Sequence, residues 1–445
     1  MEKNDLHIIK RKEINLAFNC SNFNLFKIQT GLYQPELNAE NHSFTDNKVC
    51  YNENEIKSAS LHNDQDIIKA ELPSSTRILK RITLCVSNDC NLRCRYCYAQ
   101  GGNYGNERQL MNKETAFAFV DFCYRELDSI EDIVFFGGEP LLNWIIIDLI
   151  CREFNQRNQS GGCLHPKFSL ITNGTLFSPK ILSLINSFIN NITISIDGNK
   201  LINDINRISP KGEGSYDRIS YFIKQVVSNT NLCIKYEATY TKEHLKANID
   251  RYSIKKFMKS EFGIDGIIVD EEHLDRNEIY SNLASISEKD MLDSNFECMP
   301  SDFWMALFSI SNKSENEFCP ITQDRFAITT KGDIVACQML IGKPSNILGN
   351  IEDEDVLVKI KRLDRNLKNN NSCKTCWCYK LCGGCTVQKF YNNSDNKVSG
   401  NPNTELCNFT RLYMDEILFL IYKIRTDTTL WNCLVEKIKM VNYGH

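Results

Sequence analysis

Apolar and polar residues alternate along this chain with different periods, and the places where the period changes divide it into three parts. Between residues 1 and 75 the alternation is that of short strands, in HIIKRKEINLAF and NLFKIQTG, ahead of the polar stretch NAENHSFTDNK. Period-two alternation marks half-buried strands, so a small β-rich or winged-helix-like unit is expected, with Pro73-Ser74-Ser75 as a linker. From about residue 80, strand-like and helix-like stretches take turns. Strands are predicted at 81–86, 132–136, 168–172, 192–196, 233–240 and 266–270, with helices between them such as NKETAFAFVDFCYREL and PKILSLINSFI. Six β–α units in succession predict parallel strands with helices packed outside, an α/β architecture. Past about residue 290 the alternation stops, and short strands with cysteine-bearing turns are expected until a helix near 408–424. The expected domains are therefore 1–75, 76–290 and 291–445.

A chain of 445 residues is long enough for two or three domains. Its 42% hydrophobic and 24% charged residues are ordinary for a globular protein, and a net charge of −4 gives no footprint for nucleic acid. No stretch approaches the apolar length of a membrane span, and the N-terminus MEKNDLHIIKRKE is too polar for a signal peptide. These points lead to the expectation of a cytoplasmic protein with no membrane partner. In that compartment thiols stay reduced, so 20 cysteines call for metal ligation rather than disulfides. Three of them sit between Cys90 and Cys97 and seven at patterned intervals between Cys319 and Cys407. The scattered remainder, Cys20, Cys50, Cys85, Cys123, Cys151, Cys163, Cys233, Cys298, Cys378 and Cys433, reads mostly as small buried hydrophobes.

The first group lies in VSNDCNLRCRYCYA, with the spacing Cys90-x3-Cys94-x2-Cys97. Three thiolates on one loop can hold three irons of a 4Fe–4S cube and leave the fourth without a protein ligand. An open position of that kind is also what a catalytic zinc site keeps. A zinc knuckle is the plainer alternative, but zinc ligands usually come as four in pairs and no fourth Cys or His is near. The spacing, with the aromatic Tyr96 before the last cysteine, resembles the signature of the radical S-adenosylmethionine (SAM) enzymes.

That resemblance implies a partial (β/α)6 barrel, a 4Fe–4S cluster and SAM as cofactor. Every special motif of the middle part follows a predicted strand, where parallel α/β folds build their sites. Gly137-Gly138-Glu139-Pro140 combines glycines that let the backbone approach a ligand closely, and so are expected to bind the cofactor, with a carboxylate that can receive an ammonium group. It resembles the family's element that holds the SAM methionine amine, with Glu139 as the acid. Thr172-Asn173-Gly174 is similar to a recurrent turn of the peptide-modifying branch. Ser195-Ile196-Asp197-Gly198 resembles the segment that contacts the SAM ribose and carboxylate; Ser195 is the expected contact, and Asp197 is either a second one or a turn-capping acid. Arg207 stands where relatives place an arginine that pairs with the SAM carboxylate through two parallel hydrogen bonds; its alternative is a solvated surface arginine. The implied chemistry is one-electron reduction of SAM to methionine and a 5′-deoxyadenosyl radical that takes hydrogen from a substrate, fed by a donor such as flavodoxin or ferredoxin.

In the last part, Cys319-x12-Gly332-x4-Cys337 is followed by Cys373-x2-Cys376-x5-Cys382-x2-Cys385 and by Cys407. The pattern resembles the SPASM extension, which binds two auxiliary 4Fe–4S clusters. By the family's topology Cys373, Cys376, Cys382 and Cys407 close one cluster, and Cys319, Cys337 and Cys385 hold the other. Two departures stand out: Cys382-Gly-Gly-Cys385 has two intervening residues where three are usual, and the stretch PITQDRF lacks the eighth cysteine that some relatives carry. Cys378 or Cys298 fills that place, or one iron is open to a soft ligand such as a substrate thiolate. A zinc ribbon is the alternative for the C-x2-C pairs. A region short of apolar periodicity and rich in such ligands is expected to be held together by its metals.

SPASM enzymes mostly modify peptides and proteins, and the N-terminal strands resemble the leader-recognition domain of peptide maturases, which captures a leader as an added strand. A simple cap on the barrel is the alternative. The favoured expectation is radical cross-linking of a ribosomally made precursor peptide, with a cysteine thioether ahead of a carbon–carbon bond. Oxidation of a sulfatase active-site residue is the nearest alternative, and a non-catalytic metal protein that binds a peptide is the alternative of another class. Tyr240, Asp270, Glu271 and Glu272 are unranked candidates for a general base.

Overall fold

The computed structural model describes residues 6–11, 14–28, 77–270, 275–360, 371–392, 397–398 and 400–443. Its centre is a sheet whose six parallel strands follow the chain: β4 (Ile78–Ser87), β5 (Ser129–Gly137), β6 (Lys167–Thr172), β7 (Asn191–Ser195), β8 (Cys233–Tyr240) and β9 (Asp265–Asp270). Each predicted strand is present within three residues of its expected bounds. Side chains alternate across a strand, and the alternation here separates two environments. Ile82 and Leu84, Ile133 and Phe135, Phe168 and Leu170, Ile192 and Ile194, and Tyr236 and Ala238 join the main apolar core beneath the helices. Each large apolar side chain buried there contributes roughly 1.5–3 kcal/mol. The opposite face carries Thr83, Ser169, Thr193, Ser195, Glu237 and Thr239 beside Cys85, Val134, Phe136 and Ile171, so the lumen wall is mixed and its polar side chains gather on β7 and β8.

The helices begin where side chains can cap them. Asn112 accepts from the Thr115 N–H at the start of the Lys113–Glu126 helix, and Ser178 followed by Pro179 opens the Pro179–Phe188 helix. Both helices match the expected segments to within a residue.

The last part of the chain departs from expectation in two ways. First, it is not separate from the barrel. Strand β10 (Arg325–Ile328) pairs in parallel with β4, and β11 (Asp333–Val335) and β12 (Ile347–Asn350) continue the same sheet antiparallel. Second, it has an apolar core of its own, so metals are not its sole cohesion. Phe303, Ala306, Leu307 and Ile310 form a stripe on an unanticipated Ser301–Asn312 helix. Apolar Trp304, Met305 and Phe308 on its other faces blur that stripe in the sequence. They meet Met414, Ile417, Leu418 and Ile421 of the Thr404–Thr426 helix, the one expected near 408–424. A final Thr428–Tyr443 helix, also unanticipated, packs beside it.

The N-terminal strands β1 (Leu6–Lys10), β2 (Asn15–Asn19) and β3 (Asn24–Ile28) form an antiparallel meander. Ile9, Leu16 and Phe18 enter the C-terminal core, His7 stacks on Trp377 with ring centroids 3.6 Å apart, and Arg11 pairs with Glu416 at 2.6 Å. The linker at 73–75 lies outside the described residues. Among the described residues no helix is long and apolar enough to cross a membrane.

Candidate functional site

Strand β4 ends at Ser87, and the loop beyond it carries Cys90, Cys94 and Cys97. Backbone bonds fix that loop against the end of the Lys200–Asn206 helix that follows β7: Arg93 N donates to Ile208 O (2.6 Å) and Arg95 N to Asn206 O (3.0 Å). Several N–H groups point at sulfur. Leu92 N lies 3.4 Å and Asn173 Nδ2 3.6 Å from Cys90 Sγ, and Gly101 N lies 3.3 Å from Cys97 Sγ. Donors of this kind offset thiolate charge in an iron–sulfur site. Burial pushes the Cys90 thiol up to about 12 and the Cys94 thiol up to about 11, the Arg207 charge pulling the latter back. A metal entering here must therefore displace protons. Among the described residues no three His, Cys, Asp or Glu side chains converge to metal-binding distance. The three sulfurs share a loop but do not form a closed ligand set.

Gly137 and Gly138 are glycines because the cysteine loop presses on them. A Cβ on Gly138 would lie 2.2 Å from Asp89 O, and one on Gly137 2.3 Å from Ser87 O. The sequence leads one to expect close approach to a ligand; the approach made here is to the loop backbone, reinforced by Gly138 N to Ser87 O (2.7 Å) and Glu139 N to Asp89 O (2.8 Å).

Glu139 is fully buried. Its Oε1 accepts from Leu141 N (3.0 Å) and Thr172 Oγ1 (2.7 Å), and its Oε2 from Asn173 N (2.7 Å). A carboxylate offers about four acceptor directions, so Glu139 ties the ends of β5 and β6 together and keeps one direction for an ammonium group. Burial raises its carboxyl above the ordinary 4.5, and the Asn173, Thr172 and Leu141 hydrogen bonds pull it back. With the folded value above the unfolded one, the native state holds the extra proton as pH rises from 4.5, so stability is greatest below that window and falls through it. Denaturant unfolding of metal-free protein is expected to show wild type losing stability relative to Glu139→Gln as pH rises across this range. A difference independent of pH would contradict the assignment.

The turn after β7 supplies a second buried group. The Tyr96 hydroxyl donates to the Asp197 carboxylate (2.8 and 2.9 Å to its two oxygens) and accepts from Arg207 Nη1. Asp197 also accepts from Thr239 N (3.2 Å) and lies 3.7 Å from Arg207 Nη1. Burial raises the Asp197 carboxyl, and the Arg207 charge and the Tyr96 bond lower it. These bonds tie the Asp197 carboxylate to the cysteine loop and to β8 rather than capping its own turn. Arg207 is 6% exposed, and its buried Nε has no hydrogen-bond partner among the described residues. A buried donor left unpaired costs about 1–3 kcal/mol, and a carboxylate arriving from the lumen satisfies it. Behind Asp197, His244 Nδ1 accepts from Thr241 N (3.1 Å), which assigns the proton to Nε2, 2.8 Å from Asp197 O. Nothing in the sequence pointed to His244. Tyr96→Phe removes the central hydroxyl and is expected to destabilise the fold by about 1–3 kcal/mol, read as a lower denaturation midpoint.

Ser195 sits at the end of β7, half-buried on the lumen face, in register with Glu237 of β8. Glu237 is a lumen carboxylate that sequence reasoning missed; the alternation of CIKYEATY was its signal. Burial raises its carboxyl, Arg207 lowers it and Asp197 raises it further. Among the base candidates, the Tyr240 hydroxyl is committed to Ile249 O (2.9 Å) and Asp270 pairs with Arg251. Glu271 and Glu272 lie outside the described residues.

The C-terminal cysteines fall into two places. Cys373, Cys376, Cys382 and Cys407 line one cavity of about 160 Å³, together with buried Cys378, Phe390 and Lys389 and half-buried Arg411. This is the foursome expected to close one cluster. Cys319, Cys337 and Cys385 instead pack on a small core built from Ala99, Tyr104, Ala327 and Val335, which Cys97 also touches. Cys378 belongs to the first place and Cys298 packs on the C-terminal helical core, so neither completes the second.

Residues 84–227 match the Radical SAM superfamily. The chain is 26% identical over 391 residues to the radical SAM cyclopropyl synthase TigE of Paramaledivibacter caminithermalis, covering 79% of this chain and 77% of that protein. It is 25% identical over 383 residues to a cysteine-type anaerobic sulfatase-maturating enzyme of Clostridium novyi, covering 76% and 96%. The fold of native anSMEcpe with bound AdoMet superposes with a TM-score of 0.59 at 18% identity, over 78% of this chain and 99% of that one. The matched residues run from β4 past β7 and include the cysteine loop and the turns around it, and the chain belongs to the radical SAM superfamily, as an enzyme of its peptide-modifying branch.

Proposed function

We propose that this enzyme cross-links a ribosomally made precursor peptide, with a thioether to cysteine as the leading bond and a carbon–carbon link second. Membership of the superfamily brings one 4Fe–4S cluster and SAM; together they supply a 5′-deoxyadenosyl radical that abstracts hydrogen from the substrate. Cys90, Cys94 and Cys97 would hold the cluster, and the C-terminal cysteines two auxiliary ones, with flavodoxin or ferredoxin as electron donor.

The observation that carries the reading is the unpartnered Nε of Arg207, buried beside the cysteine loop. A binding protein with no small-molecule carboxylate to receive gains nothing from a buried guanidinium left half-paired, which argues against a non-catalytic role. Arg207 would take the SAM carboxylate and Glu139 the amine with its remaining acceptor direction. Tyr96 and Asp197 keep the guanidinium from turning, and Gly137 and Gly138 keep the loop close. Ser195 would reach the ribose from the lumen wall.

A peptide substrate is supported by the N-terminal meander, since an antiparallel sheet is the element on which an extended leader can be added as a strand. Protein oxidation of the sulfatase-maturating kind is the second reading, favoured by the similarity to the Clostridium novyi enzyme along 96% of its length.

Co-expression without oxygen, with a Cys-containing peptide encoded beside the gene, separates the two. Intact mass is measured before and after thiol alkylation. Loss of two hydrogens per bond with loss of alkylatable thiols is the expected result. Retained thiols would move the bond to carbon–carbon, and an unchanged peptide alongside continued SAM cleavage would favour the sulfatase-type reading.

A further inference from the structure

Lys389, on the short Thr386–Phe390 helix, is only 5% exposed. Its backbone is held on both sides. The N–H donates to Cys385 O (3.2 Å), and the carbonyl accepts from the N–H of Asn403 (2.7 Å), the residue that caps the Thr404–Thr426 helix. Its ammonium donates to Thr410 Oγ1 at 2.9 Å and forms no ion pair among the described residues. Burying a charge with no opposite charge beside it is costly, so lysine is almost never buried unpaired.

The cavity of about 160 Å³ that Lys389 lines offers a counter-charge only through sulfur. Cys373, Cys376, Cys378, Cys382 and Cys407 line it, and among the described residues no Asp, Glu or His does. Arg411 brings a second cation, its Nη1 3.8 Å from Cys376 Sγ and its Nη2 held by Asn408. Phe318 and Phe390, edge to face with centroids 5.0 Å apart, make one wall apolar. Protonated thiols leave two cations in this space without an anion. Four thiolates around a 4Fe–4S cube make a centre that is net negative in either oxidation state. A cube also meets its ligands at four separate irons, so their sulfurs need not converge as they do on a single ion.

We propose that Lys389 is the internal counter-charge of a 4Fe–4S cluster held in this cavity by Cys373, Cys376, Cys382 and Cys407, a positioning residue that favours the loaded site at the expense of the metal-free fold. A fixed positive charge beside the cluster stabilises the reduced, more negative state, so the cluster titrates at a higher potential than it would with a neutral neighbour. Thr410 fixes the ammonium without depending on it, because its hydroxyl also donates to Leu406 O (2.7 Å). The inference rests on the iron–sulfur reading of these four cysteines and not on the peptide substrate.

Lys389→Met keeps the volume and removes the charge, and two readouts on the full-length chain should then move in opposite senses. Metal-free Lys389→Met is expected to unfold at a higher denaturant midpoint than the Lys389 protein, because an apolar side chain of similar size replaces an unpaired buried charge. The second readout is an EPR-monitored redox titration after reconstitution with iron and sulfide, with Cys90, Cys94 and Cys97 replaced by Ala to remove the first cluster's signal. There Lys389→Met should lower the reduced-to-oxidised ratio of one cluster at least tenfold at fixed potential, which is 59 mV for one electron. Should Lys389→Met take up no iron in the cavity, Lys389→Arg decides: loading that returns with the charge supports the proposal, and equal failure of both variants overturns it. Equal potentials in the loaded proteins, or a metal-free Lys389→Met less stable than the Lys389 protein, would overturn it as well. A separate control replaces Cys373, Cys376, Cys382 and Cys407 by Ser. If that costs the Lys389 protein no iron, the cavity holds no cluster, and the proposal falls with the iron–sulfur reading beneath it.

Discussion

Gly138→Ala is expected to empty the Cys90–Cys97 loop of iron although no sulfur is altered. The added Cβ would sit 2.2 Å from Asp89 O, 2.6 Å from Asp89 C and 2.8 Å from Gly102 Cα, all of it backbone that has no rotamer to change. The loop must move away, and with it go the bonds from Gly138 N and Glu139 N that hold Ser87 and Asp89 in place. Geometry errors of this size are decisive for a site whose ligands must be held to within about 0.5 Å. Anaerobic reconstitution followed by iron analysis should show about four irons per chain lost, with the C-terminal clusters retained. Gly400→Ala, where a Cβ meets nothing within 4 Å, is the control and should load as wild type. Full loading of Gly138→Ala would mean that the glycines serve a ligand and not the loop.

Substitution of Arg207 should produce the second large effect, split between binding and folding. Arg207→Lys keeps a cation beside Asp197 but loses the planar pair of donors. Charge-assisted hydrogen bonds contribute roughly 1.5–3 kcal/mol, so SAM is expected to dissociate about ten to a hundred times more readily. Arg207→Ala goes further, because fully buried Asp197 is left with Tyr96 and one backbone N–H to face it. Breaking a buried pair on one side costs about 3–5 kcal/mol, which should appear as a marked drop in denaturation midpoint. Equilibrium SAM binding to the reconstituted protein together with denaturant unfolding reads both. Unchanged SAM affinity in Arg207→Lys would remove Arg207 from the cofactor site and leave it a structural role only.

The barrel could be read from the sequence because each of its strands carries its own signal. Buried parallel strands are short apolar runs bounded by turns, and runs such as DIVFF and ITISI are unambiguous in that setting. The cysteine loop was readable because its chemistry is local, with three ligands within eight residues. What stayed hidden depends on distant contacts. Asp197 becomes the hub of a buried network only when Tyr96, a hundred residues earlier in the chain, folds over it. Glu139 was read as a ligand-binding acid, yet most of its hydrogen-bonding capacity goes to Leu141, Thr172 and Asn173. The Ser301–Asn312 helix was masked by apolar residues outside its stripe, and the pairing of β10 with β4 joins segments some 240 residues apart that no local pattern connects.

If the Cys90–Cys97 loop and the buried Arg207 group form a site that cleaves SAM reductively, the anaerobically reconstituted protein supplied with SAM and dithionite should release 5′-deoxyadenosine, measured alongside a variant with Cys90, Cys94 and Cys97 all replaced by Ala. Steady formation by the wild type is expected, and none above background by the variant, even with its C-terminal clusters in place. Equal amounts from both, or none from fully loaded wild type, would contradict it.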